Sequence, residues 1–402
     1  MDDLSRRTFL GAASTALGYS RIIGANDRLR VGVIGCGGKA TGHMRIITQM
    51  KQTDNCEVVA VSDLYTKRME NAAGFTGAKQ YRDYKQLLAV KDIDWVLIGT
   101  PEHWHCQNVL DTVDADKHIY CEKPMTRTVE QSKKVVAKVK ASKVKMQVGV
   151  QGLSDDSYEA AHKLIKDGYI GRPVLAQIDY SRNHAGDFWV YKQDEGAKPG
   201  PDLDWDKFQG YNKKRPWDPD RFFSWRRYWD YSGGIAADLL VHRVTRLIRA
   251  LGLTFPEYVC ATGGKYQFRD SKADIPDTMN VLLDYPEGLT VQLISSQANE
   301  TPVPHLIRGH KATLEFTRKG FTITPQKQYA NEVKPYEHIK TGGEDVMLHT
   351  RNLQNAIRNN EPLRCDIMTG YYGVVASEMG VMSLRKRKYV KWDKTKERIV
   401  LA

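Results

Sequence analysis

The chain has 402 residues, 41% of them hydrophobic and 27% charged, with 32 Gly and 15 Pro. That length gives room for two or three domains with real cores, and the composition excludes collagen-like, disordered and membrane-spanning chains. A formal charge of +12, from 60 Lys and Arg against 48 Asp and Glu, admits an acidic partner without choosing one. Six Cys with no Cys-x-x-Cys pair argue against a disulfide scaffold and a structural zinc site.

Residues 5–10 read Ser-Arg-Arg-Thr-Phe-Leu and precede a small, weakly apolar run from Gly11 to Gly18. Paired arginines ahead of such a run form a twin-arginine export pattern, which predicts a periplasmic protein exported already folded. The alternative is a frayed N-terminus. A leader over 1–29, cleaved near Ala25, follows from the export reading. Folding in the reducing cytoplasm fits the unpaired-looking Cys36, Cys56, Cys106, Cys121, Cys260 and Cys365.

Residues 30–150 read as a nucleotide-binding domain. Arg30–Gly35 is a buried strand leading into Gly35-Cys-Gly37-Gly38-Lys39-Ala40 and a helix to Met50, the G-x-G-x-x-A fingerprint. Gly35 permits the turn, Gly37 and Gly38 leave room for a pyrophosphate at a helix N-terminus, and Ala40 allows close packing. Asp63 ends the next strand, where an acid binds ribose hydroxyls and disfavours a 2′-phosphate, so NAD is expected over NADP. Strands at 94–101, 117–124 and 146–150 and helices at 104–113 and 129–142 continue a doubly wound parallel sheet. Ligands bind beyond the strand ends of such sheets, which places Asp63, Thr100, Pro101, Glu122, Lys123 and Gln151 at the site.

Residues 151–402 change pattern. A helix at 155–166 and a strand at 173–180 precede hairpins at 279–295 and 313–324, which predict an antiparallel sheet; Tyr191–Arg221 is loop-like. In Tyr231-Ser-Gly-Gly-Ile-Ala-Ala-Asp238-Leu-Leu-Val-His242, Asp238 and His242 stand four apart and share one face of a helix. A carboxylate beside an imidazole suits an acid–base pair, with a functionless surface pair as the alternative. Trp225 and Tyr231, in an Arg-rich aromatic stretch, could face a sugar or pack a core. Asn183 and His184 are further substrate candidates. No metal is expected, because His103 and His105 diverge on a helix and lack completing ligands.

Gly35-x-Gly37, Thr100-Pro101-x-His103-x-His105 and Glu122-Lys123-Pro124, in that order, resemble the Gfo/Idh/MocA oxidoreductases. The resemblance implies a Rossmann domain followed by an α/β domain with an open, mainly antiparallel sheet. It places His103 and His105 beside the nicotinamide and joins Lys123, Asp238 and His242 into the catalytic cluster. His242 then serves as acid or base, Lys123 stabilises an alkoxide and Asp238 orients; the base role stays open between Lys123 and His242. The implied activity is hydride transfer from a sugar, glycoside or polyol to a retained NAD, or redox-neutral glycoside cleavage on the same scaffold. The expected assembly is a homo-oligomer through the C-terminal sheet. Half of the +12 lies in the last 18 residues, where a solvated basic run has no nucleic-acid motif beside it. No nucleic-acid partner and no membrane anchor are expected.

Overall fold

The computed structural model describes residues 27–402, so the paired arginines and the expected leader lie outside the described residues. Strands β1 (Leu29–Ile34), β2 (Cys56–Ser62), β3 (Lys79–Tyr81), β4 (Trp95–Ile98), β5 (His118–Glu122) and β6 (Met146–Gly149) form one sheet. Its order is β3-β2-β1-β4-β5-β6 and every neighbouring pair is parallel. All four residues of β4 are buried, as they must be in a parallel sheet covered by helices on both faces. The strand order reverses between β1 and β4, and there a crevice opens past the strand ends. Sequence patterning misses β3 and the helix Tyr84–Leu88, since a three-residue edge strand of exposed Lys79 and Gln80 carries no hydrophobic period.

The second sheet contains β7 (Pro173–Asp179), β8 (Tyr258–Gly264), β9 (Thr278–Tyr285), β10 (Leu289–Ser296) and β11 (His305–Gly309). It continues with β12 (Ala312–Thr317), β13 (Gly320–Pro325), β14 (Tyr336–Ile339), β15 (Val390–Asp393) and β16 (Arg398–Leu401). The order is β14-β13-β12-β11-β7-β10-β9-β8-β15-β16. Only β7 and β10 pair in parallel, so the sheet is mixed and mainly antiparallel. Val281, Leu283, Val291 and Leu293 face the core, alternating with residues on a more open face.

The helices Val241–Leu251 and Ile367–Lys386 cover the inner face, and one apolar core runs from β4–β6 through them into the second sheet. Gly370 and Gly373 bring the second helix close: a Cβ on Gly370 would stand 2.8 Å from Val148, and one on Gly373 2.8 Å from Thr245. Buried on several sides, that helix lacks the one-sided stripe that sequence reading depends on.

Most of 191–221 is irregular, with short helices at Trp205–Gln209 and Pro219–Phe223. It returns from the second sheet to the first domain as a strap. Thr66 N donates to Asp202 O at 2.8 Å and Asp204 N to Leu64 O at 3.0 Å. Arg82 Nη2 donates to Pro201 O at 2.9 Å, while Asp194 accepts from Tyr65 Oη and Lys67 Nζ, both at 2.6 Å.

Candidate active site

A cleft of about 870 Å³ runs from the glycine turn to the helix carrying His242. At one end Gly35 takes φ +86°, and a Cβ there would lie 2.8 Å from Thr100 N. Gly37 and Gly38 face open space, and the twelve-residue helix Gly38–Gln49 turns its unpaired N-terminal amides to the cleft. Ala40 is buried against Gly99, the close helix-to-strand packing expected of a small residue. Asp63 is pinned at the β2 end, accepting from Cys36 N at 2.7 Å and Tyr65 N at 2.8 Å, with lone pairs left for ribose hydroxyls. These residues fit a dinucleotide: the open cradle takes the phosphates, and the fixed carboxylate meets the ribose.

Thr100, Pro101 and His105 line the middle of the cleft. The His105 ring bridges two loops, with Nδ1 2.7 Å from Pro124 O and Nε2 2.9 Å from Thr100 O. Beside it Glu122 is buried; burial alone would raise its pKa, but His43 and the Lys39 and Lys123 charges hold it well below the carboxylate range. Its Oε1 lies 2.6 Å from His43 Nε2 and accepts from Gln151 Nε2 at 2.8 Å. Gln151 also donates to Tyr120 Oη at 2.8 Å, so this network fixes the loop from which Lys123 projects.

Lys123 crosses the cleft to the second domain. Its Nζ lies 2.7 Å from Asp238 Oδ1 and 2.6 Å from Asp238 O. Arg226 Nε donates to the same Oδ1 at 2.9 Å, and the two cations hold Asp238 ionised against burial. Asp238 lies in a π-helical turn, Ala236–Leu240, that leads into the helix Val241–Leu251. This corrects the expected pairing of Asp238 with His242. Both residues still line the cleft, but Asp238 is bonded to Lys123 and Arg226 and not to the imidazole. His242 lines the cleft with Nδ1 buried and unpartnered. Burial and the Lys123 charge push its pKa down to about 3, so the ring is neutral.

Four further site candidates do not line the cleft. His103 does not line the cleft; its Nε2 lies 2.7 Å from Phe208 O and its ring packs among Phe208, Tyr211 and Tyr231. Tyr231 is fully buried in that aromatic cluster, because the stretch around it folds inward as the strap's own core. Asn183 is exposed and bridges to Ala298, and His184 N donates to Gln297 O; backbone pairing at the sheet end turns both away from the cleft. Trp225 does reach the cleft, with Arg226 stacked 4.3 Å over its ring.

The structure adds residues that sequence reading missed. Tyr180, Arg182, Tyr191, Lys192, Arg226 and Glu344 also line the cleft. Glu344 bonds Arg246 at 2.6 Å, and Arg246 is four residues beyond His242. Glu102, at the start of helix Glu102–Asp114, is buried behind the site and accepts from Ser232 Oγ at 2.9 Å and Gly233 N at 2.7 Å. Burial and the Asp238 charge push its pKa up to about 7. Only the Gly-Gly step before the π turn hinted at such a contact.

Comparisons with known proteins agree with this fold. Residues 29–150 match the oxidoreductase-family NAD-binding Rossmann fold, and 207–392 match that family's C-terminal alpha/beta domain. Inositol 2-dehydrogenase of Klebsiella pneumoniae is 33% identical over 162 residues, 40% of this chain and 48% of that protein. The chain thus spans about half the length of such curated relatives. In fold it is similar to levoglucosan dehydrogenase in complex with NADH and levoglucosan, with a TM-score of 0.70 at 19% identity over 91% of this chain and 100% of that one. A probable dehydrogenase from Thermotoga maritima gives a TM-score of 0.62 at 20% identity over 90% of this chain and 99% of that one. With both domain models matched in order across most of its length, the chain belongs to the Gfo/Idh/MocA oxidoreductase family and carries its NAD-binding Rossmann domain.

Proposed function

We propose that the chain is an NAD-dependent oxidoreductase acting on a hydroxyl-bearing carbon of a sugar, glycoside or polyol. The observation that carries this reading is one cleft shared by the glycine cradle and by Lys123, Asp238 and His242. Bound NAD supplies the hydride acceptor. Lys123 stabilises negative charge developing on the substrate oxygen, and Asp238 with Arg226 fixes where that ammonium stands. His242, neutral beside it, accepts the hydroxyl proton. The Glu344 and Glu122 charges favour the imidazolium that results. The test is a panel of sugars, glycosides and polyols given to the purified protein with NAD, read by reduced-nicotinamide absorbance and product mass. Loss of turnover in both Lys123→Ala and His242→Ala is expected; full activity in both variants rejects the assignment.

The strap favours a second reading, redox-neutral glycoside cleavage by oxidation, elimination, hydration and reduction within one turnover. Segment 191–204 is tied to the first domain just past Asp63, where a dinucleotide's ribose would lie, and supports a cofactor that stays bound. Glycoside cleavage by the protein as purified, without added NAD or accumulating NADH, would favour this reading; stoichiometric NADH release favours the first. Export to the periplasm by the twin-arginine route belongs to the same proposal, supported by the pattern at 5–10. So does self-association through the open face of the second sheet, where Leu282 and Val174 are exposed.

A further inference from the structure

The reacting end of the cleft gathers several cations, and not all of them stand in ion pairs. Asp238 is shared by Lys123 and Arg226, and Glu344 is taken by Arg246. Asp179, one residue before Tyr180, lies 2.7 Å from His305 Nε2 and also feels the Arg243 charge. Among the described residues no ion pair forms at Arg182, Lys192 or Arg243. The Tyr180 ring carries two of these cations, Arg243 at 4.2 Å and Arg182 at 5.4 Å from its centroid. Tyr180 also lies against the His242 ring at 5.9 Å, so the guanidiniums stand near the proposed proton acceptor rather than at the phosphate cradle. Arg243 has only a carbonyl, Asp179 O at 2.9 Å, for its Nε, and burial with the Arg246 charge lowers its pKa. Lys192 follows Tyr191, whose ring lies 5.8 Å from Arg226, the residue that holds Asp238. Arg182 and Lys192 line the cleft with exposed side chains and no ion pair, so both are free to meet an anionic group of a bound ligand.

We infer that the substrate is a sugar bearing an anionic group, carboxylate or phosphate ester, which lies against Arg182 and Lys192 while a ring hydroxyl faces Lys123 and His242. Arg182 supplies the planar fork that such oxyanions accept, and Lys192 a second, freely placed charge. Tyr180 and Trp225 offer aromatic faces to the ring carbons between the two ends. This inference rests on the proposed sugar oxidoreductase activity and names the substrate class for that site.

The experiment uses the full chain loaded with NAD and matched pyranosides of gluco, galacto and manno configuration, each as the neutral methyl glycoside, its uronate and its 6-phosphate. Binding is measured by tryptophan fluorescence and calorimetry, and turnover separately by product mass. The expected result is that a uronate or a phosphate binds about ten- to a hundredfold tighter than its neutral partner, as charge-assisted hydrogen bonds to an arginine supply. That advantage shrinks with added salt and falls to within a few-fold of unity in Arg182→Gln and in Lys192→Gln, while Arg308→Gln, on the outer sheet surface, keeps it. Which anion is preferred separates sugar acids from sugar phosphates. Equal binding of neutral and anionic partners, or an advantage that survives both substitutions, overturns the inference. Tight anion binding without turnover of any sugar leaves the charged subsite standing and removes the oxidoreductase reading instead.

Discussion

Lys123 and Asp238, 115 residues apart in sequence, meet at 2.7 Å across the domain boundary, and the same Lys123 Nζ also donates to the Asp238 carbonyl at 2.6 Å. The contact joins the first domain's Lys123 loop and the second domain's π turn. A lysine fixed by two acceptors of one residue is positioned before any substrate arrives, which is what electrostatic stabilisation of a developing oxyanion needs.

Asp238→Asn removes the charge that balances both Lys123 and Arg226. Breaking such a buried pair costs about 3–5 kcal/mol, and turnover falls by roughly 10²–10³ as the lysine loses its fixed position. Thermal melting and kcat together check this. Lys123→Met, which takes away the cation and leaves Arg226 to Asp238, abolishes turnover with a smaller loss of stability.

Gly35→Ala and Gly37→Ala separate folding from cofactor binding. At Gly35 the φ of +86° and the 2.8 Å approach to Thr100 N make any side chain destabilising. At Gly37 a Cβ meets no protein atom within 4 Å and points into the space for the phosphates. The expected outcome is a lowered melting temperature in Gly35→Ala. Gly37→Ala melts as the parent does, but its NAD affinity, followed by calorimetry, drops at least about tenfold.

Three buried histidines predict acid sensitivity. Burial pushes His103 and His242 down to about 3 and His349 down to about 4, from 6.5 in the unfolded chain. Each is neutral when folded, so its contribution to stability is complete above pH 6.5. The unfolded state takes up protons below that point while the folded state does not, and stability falls between pH 6.5 and about 3. Melting temperature against pH should show this slope, less steep in His103→Phe. The kcat/KM profile should lack a His242 limb near pH 6.5.

Glu102 titrates in the opposite sense. Its pKa rises from 4.5 to about 7 on folding, so the stability tied to its neutral form is present below pH 4.5 and lost as pH rises through 7. Glu102→Gln keeps an amide oxygen to accept from Gly233 N and an NH2 to donate to Ser232 Oγ, without the charge, and gains relative stability above pH 7. Glu102→Ala leaves that hydroxyl and amide unpaired at a cost of about 1–3 kcal/mol. Denaturant midpoints at pH 5 and pH 8 distinguish the two.

Asp194→Ala cuts the strap's contacts to Tyr65 and Lys67. Bound NAD should then be lost several-fold faster on dialysis, followed by nicotinamide content per chain; an unchanged rate would mean the strap does not retain it.

The sequence by itself determined the Rossmann half, because its signals are local. A short apolar run, a glycine turn and an acid at the next strand end each act within a few residues, so Gly35, Gly37, Ala40, Asp63, Thr100 and Lys123 stand where their neighbours predict. It also marked Asp238, His242 and Trp225 through spacing and composition. What the tertiary structure decided are the long-range contacts. Lys123 and Arg226, brought in from distant segments, took Asp238 as their partner; inward folding of the strap put His103 and Tyr231 into a core; and the sheet end turned Asn183 and His184 away. The arginines around Tyr180, the Glu344 loop and buried Glu102 carry no local signature, since charge and hydrogen bonding act through space and only folding brings residues 102, 182, 242 and 344 together.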